Sequence, residues 1–269
     1  MPSSKIAFIG LGNLASAIVR GLLAEKAWAP SDIAGTSKTG VTAQKLAAET
    51  GITHEPDLAK LLAPADLVVV AFKPQSLATA DPRLAELTAG KLVLSVLAGK
   101  TLSRLRQTFP HARNIVRTMP NTPAAIGAAM TAYCPLQPLA PADRALVEKF
   151  LDAFGQFVPL EEKHMDAITA LAGSGPAYLF EYVAAMREAG IAAGLPADIA
   201  AKVALETTLG AARLLARTGE TPEALRDKVT SPNGTTFAGL QVLTARQFRD
   251  TIKETIHAAT KRAGELSRD

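Results

Sequence analysis

The chain has 269 residues, 29 Lys and Arg against 25 Asp and Glu, a formal charge of +4, and 48% hydrophobic but only 5% aromatic residues. That length holds one large domain or two ordinary ones, with a core that must be built on Ala, Leu, Val and Ile. Scattered basic residues, a lone Cys134, four dispersed histidines and no apolar run near 18 residues argue against nucleic-acid, disulfide, metal-binding and membrane classes.

In chain order, short apolar runs alternate with helical patterns over the first 160 residues or so. "KIAFIG" (5–10), "DIAGTS" (32–37), "DLVVVAF" (66–72) and "KLVLSVLAG" (91–99) read as strands buried on both faces. Between them "NLASAIVRGLLAEKA", "TAQKLAAETG" and "DLAKLLAP" have helical spacing, so the alternation predicts βαβ units and a parallel sheet. Further strands are expected at 113–118 and 127–133, then a helix near 141–153. Beyond residue 160 the strand signals stop. "MDAITALAGSGPAYLFEYVAAMREAGIAAG" predicts a long helix kinked at Pro176, and a second helix is opened by Pro196 and closed by Gly219. The expected fold is α/β, with a Rossmann-type dinucleotide-binding domain over 1–161 and an all-α domain over 162–269. The start "MPSSKIAFIG" lacks the apolar length of a signal peptide, so a cytoplasmic protein is expected.

Gly10, Leu11, Gly12, Asn13 and Leu14 open a Gly-x-Gly-x-x-Ala turn, completed by Ala15, directly after a strand and before an amphipathic helix. The first glycine permits the tight turn, the second lets a diphosphate approach the backbone, and the small third residue lets helix and strand pack closely. Free N–H groups and the helix dipole then favour the anion. An NAD site usually offers a carboxylate at the end of the second strand; here Ser37 and Lys38 stand there, and a hydroxyl with an ammonium suits a 2′-phosphate. NADP(H) is therefore preferred, with NAD(H) as the alternative. Lys38 also reads as a solvated loop lysine. Phe72, Lys73 and Pro74, and then Ala98 with Gly99, follow the ends of parallel strands and are expected to line the cofactor; Lys73 equally suits capping of surface carbonyls.

Four segments, "FIGLGNLASAI", "AFKPQ", "RTMPNTPAAIG" and "ALAGSGPAY…VTSPNGTTFAGLQVL", stand in an order and spacing that resembles the pyrroline-5-carboxylate reductases over nearly the whole chain. The resemblance implies hydride transfer from NAD(P)H to C5 of a cyclic imine, 1-pyrroline-5-carboxylate, giving L-proline at the last step of proline biosynthesis. It implies that the helical domain binds this substrate and joins a second copy, as a homodimer or a higher oligomer. By the same resemblance Ser231, Gly234, Thr235 and Thr236 hold the substrate carboxylate, with Thr236 at the ring nitrogen as the catalytic hydroxyl. Asn121 falls near the nicotinamide and Glu162 at a further substrate-binding position; Glu162 also reads as a first-turn carboxylate favoured by a helix dipole. Asn233 stands where glycine is common, Leu58 about where many relatives carry an asparagine beside the adenosine, and Ala172 where serine is frequent.

Two rivals share parts of this pattern. A β-hydroxyacid-type dehydrogenase uses a lysine on an interdomain helix, whereas "GSGPAYLFEYV" has none. A non-catalytic NADP(H)-binding regulator has no need of the "SPNGTT" loop. A serine hydrolase built on Ser174 lacks the Gly-x-Ser-x-Gly spacing.

Overall fold

The computed structural model describes residues 4–268. Its strands are β1 (Ile6–Ile9), β2 (Ile33–Thr36), β3 (Thr53–His54), β4 (Leu67–Val70), β5 (Leu92–Ser95), β6 (Asn114–Met119), β7 (Ala129–Pro135) and β8 (Gly155–Pro159). They form one sheet in the order β3-β2-β1-β4-β5-β6-β7-β8, parallel except at the β6–β7 pair. Side chains alternate across it: Ile6 and Phe8 join one apolar cluster while Ala7 and Ile9 join the other, and Leu67 and Val69 part from Val68 and Val70 in the same way. Burial on both faces explains why these strands read as continuous apolar runs.

The helices between the strands are α1 (Asn13–Ala24), α2 (Val41–Thr50), α3 (Leu58–Leu62), α4 (Leu84–Leu87), α5 (Leu102–Thr108) and α6 (Pro141–Asp152). In α1 the buried residues Ala15, Ile18, Val19 and Leu22 recur at i, i+3, i+4 and i+7, one helical stripe against the sheet. Each of the three larger ones contributes about 1.5–3 kcal/mol on burial. Strands run from β1 out to β3, and the chain then returns to place β4 on the other side of β1. A crevice opens at such a reversal, outside the carboxyl ends of the strands.

The helical part holds α7 (Met165–Ile168), α8 (Gly175–Ala192), α9 (Ala197–Thr218), α10 (Pro222–Lys228), α11 (Thr235–Ala245) and α12 (Phe248–Arg268). The single helix expected to kink at Pro176 is instead divided into α7 and α8. The chain widens into a π turn at Thr169–Gly173, where the Ser174 N–H donates to the Thr169 carbonyl at 2.9 Å. The proline then sits in the first turn of α8, where its missing N–H has no partner to lose. By contrast, α9 starts behind Pro196 and ends at a left-handed Gly219, as the spacing predicts.

Contacts divide the described residues into two units, one within Met1–Ser174 together with Ala259–Asp269, the other Gly175–Ala258. The sheet belongs to the first. In the second, α8 and α9 form a helical hairpin, with Gly190 so close to α9 that a Cβ there would lie 3.2 Å from the Ala200 Cβ. Among its described residues only Ala200 and Ala204 are buried.

Candidate active site

The turn after β1 is held tightly. Gly10 adopts φ +104°, and a Cβ on it would come within 2.5 Å of the Phe72 nitrogen. The N–H groups of Gly10 and Leu11 both donate to the Thr36 carbonyl, at 3.0 and 2.9 Å. The Leu11 side chain is fully buried, so at this position only backbone remains for a ligand. The next residue is open: a Cβ on Gly12 would meet no atom within 4 Å. Gly12 begins α1 with no side-chain cap and no acidic residue in the first turn, which leaves the N–H groups at Asn13 and Leu14 for an anion.

Beside that turn lies a cleft of about 490 Å³, whose lining includes Gly10, Ser37, Lys38, Leu58, Phe72 and Asp81. The Ser37 hydroxyl accepts from the Ala43 N–H at 3.2 Å, which caps the start of α2 and leaves its own proton to donate. Lys38 is exposed. Asp81, the one carboxylate among the lining residues, is paired with Arg83 at 2.7 Å. Two dinucleotide halves joined by a diphosphate need an open glycine, an uncapped helix start and an adjoining cleft, and all three are present. Lys73 is exposed and opens the 3-10 turn Pro74–Thr79, while Ala98 is exposed in the turn after β5.

A second uncapped helix start lies in the other unit. Asn233 adopts φ +59°, the left-handed region that asparagine tolerates better than most residues, so the turn survives without the usual glycine. The Gly234 N–H donates to the Ser231 carbonyl at 3.1 Å, and the Ser231 hydroxyl lies so close that a Cβ on Gly234 would collide with it. Gly234 begins α11 with no side-chain cap and no acidic residue in the first turn, and Thr235 and Thr236 are exposed. With the Gly234 N–H engaged, the N–H groups of Thr235 and Thr236 suit a carboxylate.

A pyrroline-5-carboxylate reductase of Synechocystis is 41% identical over 270 residues, covering 99% of this chain and 99% of its own. The chain belongs to the pyrroline-5-carboxylate reductase family. The family model for pyrroline-5-carboxylate reductase dimerisation matches residues 162–266, and that for F420-dependent NADP oxidoreductases matches 5–99. The solved pyrroline-5-carboxylate reductase of Coxiella burnetii is similar at TM-score 0.92, with 33% identity and 98% of each chain covered. A Plasmodium falciparum pyrroline carboxylate reductase solved with NADP bound shares the fold at TM-score 0.87 and 24% identity, over 99% of each chain.

For a pyrroline-5-carboxylate reductase, the resemblance implies roles at the reacting centre for Asn121 and Glu162, and both side chains have partners within the protein. The Asn121 amide donates to the Ala172 carbonyl in the π turn at 3.1 Å, and its oxygen accepts from the Met130 N–H at 3.0 Å. The Glu162 Oε1 accepts from the Leu102 N–H at 2.7 Å and from Arg117 Nη1 at 2.9 Å. Sequence reasoning missed Arg117, whose side chain is only 4% exposed. A signal was present: a guanidinium inside "NIVRTM", a strand with apolar neighbours, demands a carboxylate partner.

Proposed function

We propose that this protein is a pyrroline-5-carboxylate reductase, an NAD(P)H-dependent oxidoreductase that converts the cyclic imine 1-pyrroline-5-carboxylate into L-proline. The observation that carries the reading is likeness to a reductase of that name along essentially the whole of both chains. The two uncapped helix starts, one beside a nucleotide-sized cleft and one behind a Ser-Pro-Asn-Gly turn, suit the two ligands such a reaction needs.

In this reading the diphosphate takes the N–H groups around Gly12, Asn13 and Leu14, and Ser37 and Lys38 take a 2′-phosphate, which makes NADP(H) preferred over NAD(H). Phe72, Lys73, Pro74 and Ala98 line the cofactor along the strand ends, with Asn121 bracing the loop that follows β6. When bound, the reduced nicotinamide supplies a hydride to the imine carbon. The chain holds the substrate carboxylate on the Thr235 and Thr236 N–H groups, behind the turn that Gly234 closes on Ser231. The Thr236 hydroxyl orients the ring nitrogen, which takes a proton from solvent water so that the hydride is delivered to an iminium carbon. An iminium carbon is already electrophilic, so alignment is the main service the protein renders.

Residues 1–161 contain the nucleotide cleft and 162–269 the substrate loop and the self-association surface, a division supported by the dimerisation model's start at residue 162. Joining of two copies, as a homodimer or a larger assembly, is supported by a helical unit with almost nothing buried. No helix among the described residues is long and apolar enough to cross a membrane. A cytoplasmic location suits the single unpaired buried thiol of Cys134.

The test is a paired assay of imine-dependent NADPH and NADH oxidation with proline measured directly. Proline formed at the rate of NADPH loss is expected. Consumption of neither cofactor would overturn the reading, and a strong preference for NADH would overturn only the assignment of Ser37 and Lys38.

A further inference from the structure

Arg117 is a cation inside β6, a strand whose two faces are both covered. A buried guanidinium left unpaired is expensive, so its partners are tied in place. They are Glu162, at 2.9 Å, and Asp166, at 3.9 Å. Each carboxylate has a second task. The Glu162 oxygen also accepts from the N–H of Leu102, the first residue of α5, alongside Thr101, whose hydroxyl caps the same helix through the Arg104 N–H. Near the end of α12 the Ser267 hydroxyl stands 2.9 Å from Asp166 and equally close to the Ala263 carbonyl, so the two acceptors share its one proton.

Both tasks converge on the turn Ala98–Lys100 that links β5 to α5. Its far end is anchored at Ser95, whose carbonyl accepts from the Thr118 hydroxyl at 2.9 Å and whose side chain accepts from the Leu97 N–H. Its near end is the Leu102 N–H on Glu162. Over its middle lies the end of α12: a Cβ on Gly99 would sit 3.4 Å from the Leu266 carbonyl oxygen. The turn stands at the carboxyl end of β5, beside β4, whose own end leads into the nucleotide cleft.

We propose that Glu162 and Arg117, with Asp166 and Ser267, are positioning residues that preorganise the Ala98–Gly99 turn for the dinucleotide, and that Glu162 does not touch the substrate. This rests on the reading of the cleft as an NADP(H) site. Loss of the pair lets the turn wander and weakens cofactor binding, while the carboxylate-holding start of α11 is untouched.

The test uses the full chain and variants Glu162→Ala, Glu162→Gln and Ser267→Ala. NADPH affinity is read by fluorescence titration without substrate, and KM for NADPH and for the imine by steady-state kinetics. Glu162→Ala is expected to raise the NADPH Kd and KM about tenfold, the size of one lost charge-assisted hydrogen bond, with imine KM unchanged. Glu162→Gln keeps an acceptor for the Leu102 N–H and recovers most of that affinity, and Ser267→Ala gives a smaller rise. A raised imine KM with unaltered NADPH affinity would make Glu162 a substrate ligand and overturn the proposal, as would no change in either. Should Glu162→Ala not fold, unaltered NADPH binding in both other variants overturns it equally. Wild-type protein that binds NADPH yet reduces no imine would sink the reductase reading alone; wild-type protein that does not bind NADPH sinks both.

Discussion

Thr236 is the second residue of α11, exposed and free of any acidic neighbour in the first turn. Its hydroxyl is a poor acid, so the role proposed for it at the imine is orientation. Thr236→Ala is expected to lower kcat about tenfold, near the worth of one hydrogen bond, without abolishing turnover. Wild-type turnover together with wild-type imine affinity would remove Thr236 from the mechanism. Cys134 shows the opposite case, a nucleophile silenced by its surroundings. Burial, and then the Glu162 carboxylate, push its thiol up to about 11, against the pull of Arg117. The native protein is therefore expected to ignore a disulfide reagent at pH 8 and to react at once when unfolded. The folded state favours the neutral thiol, so this stabilisation is complete below the unfolded value of about 8.5 and is lost as pH rises toward the folded one. A Cys134→Ala variant with an equally steep alkaline loss of stability would contradict that account.

At the scale of elements, the β1–α1 turn depends on one backbone conformation. Gly10→Ala would force a Cβ into the Phe72 and Ala71 backbone at φ +104°. It is expected to cost about 1–3 kcal/mol from strain alone and to abolish NADPH binding, as read by chemical denaturation and titration. A stable variant that binds NADPH normally would show that this turn gives way easily. The four strands with continuous apolar runs were legible because burial leaves a compositional mark, and the strands at Asn114–Met119 and Ala129–Pro135 also fall where further strands are expected. Thr53–His54 was not, since two residues carry no periodicity, nor was Gly155–Pro159, whose members are only half covered or exposed. The glycine turn and the Ser-Pro-Asn-Gly loop were legible because backbone chemistry at those spacings is local. The tie between Glu162 and Leu102 was not, because 60 residues separate them and either reads alone as an ordinary helix-start residue.

For the whole molecule, the helical unit poses the main physical question. Phe180 is 65% exposed and Val242 60%, and large apolar side chains recur along α8, α9 and α11. Exposed apolar patches of this kind mark an interface. Phe180→Asp is expected to lower the assembly mass in analytical ultracentrifugation and to lower Tm together with it, because folding and association are coupled when a unit has so little core of its own. An unchanged mass and Tm would place the interface elsewhere.

Composition, periodicity and the spacing of glycines and prolines determined the class of fold, the glycine turn after β1 and the loop that opens α11. These are properties of neighbouring residues and of the faces they present. The substrate role of the loop is what the family resemblance implies. Only the tertiary structure decided that Leu11 faces the core, that Asn121 braces the π turn, and that a buried Arg117 claims Glu162 and lies near Asp166. Those assignments depend on which distant groups a compact chain brings within hydrogen-bond reach, and the desolvation of one charge then dictates what its partners can do.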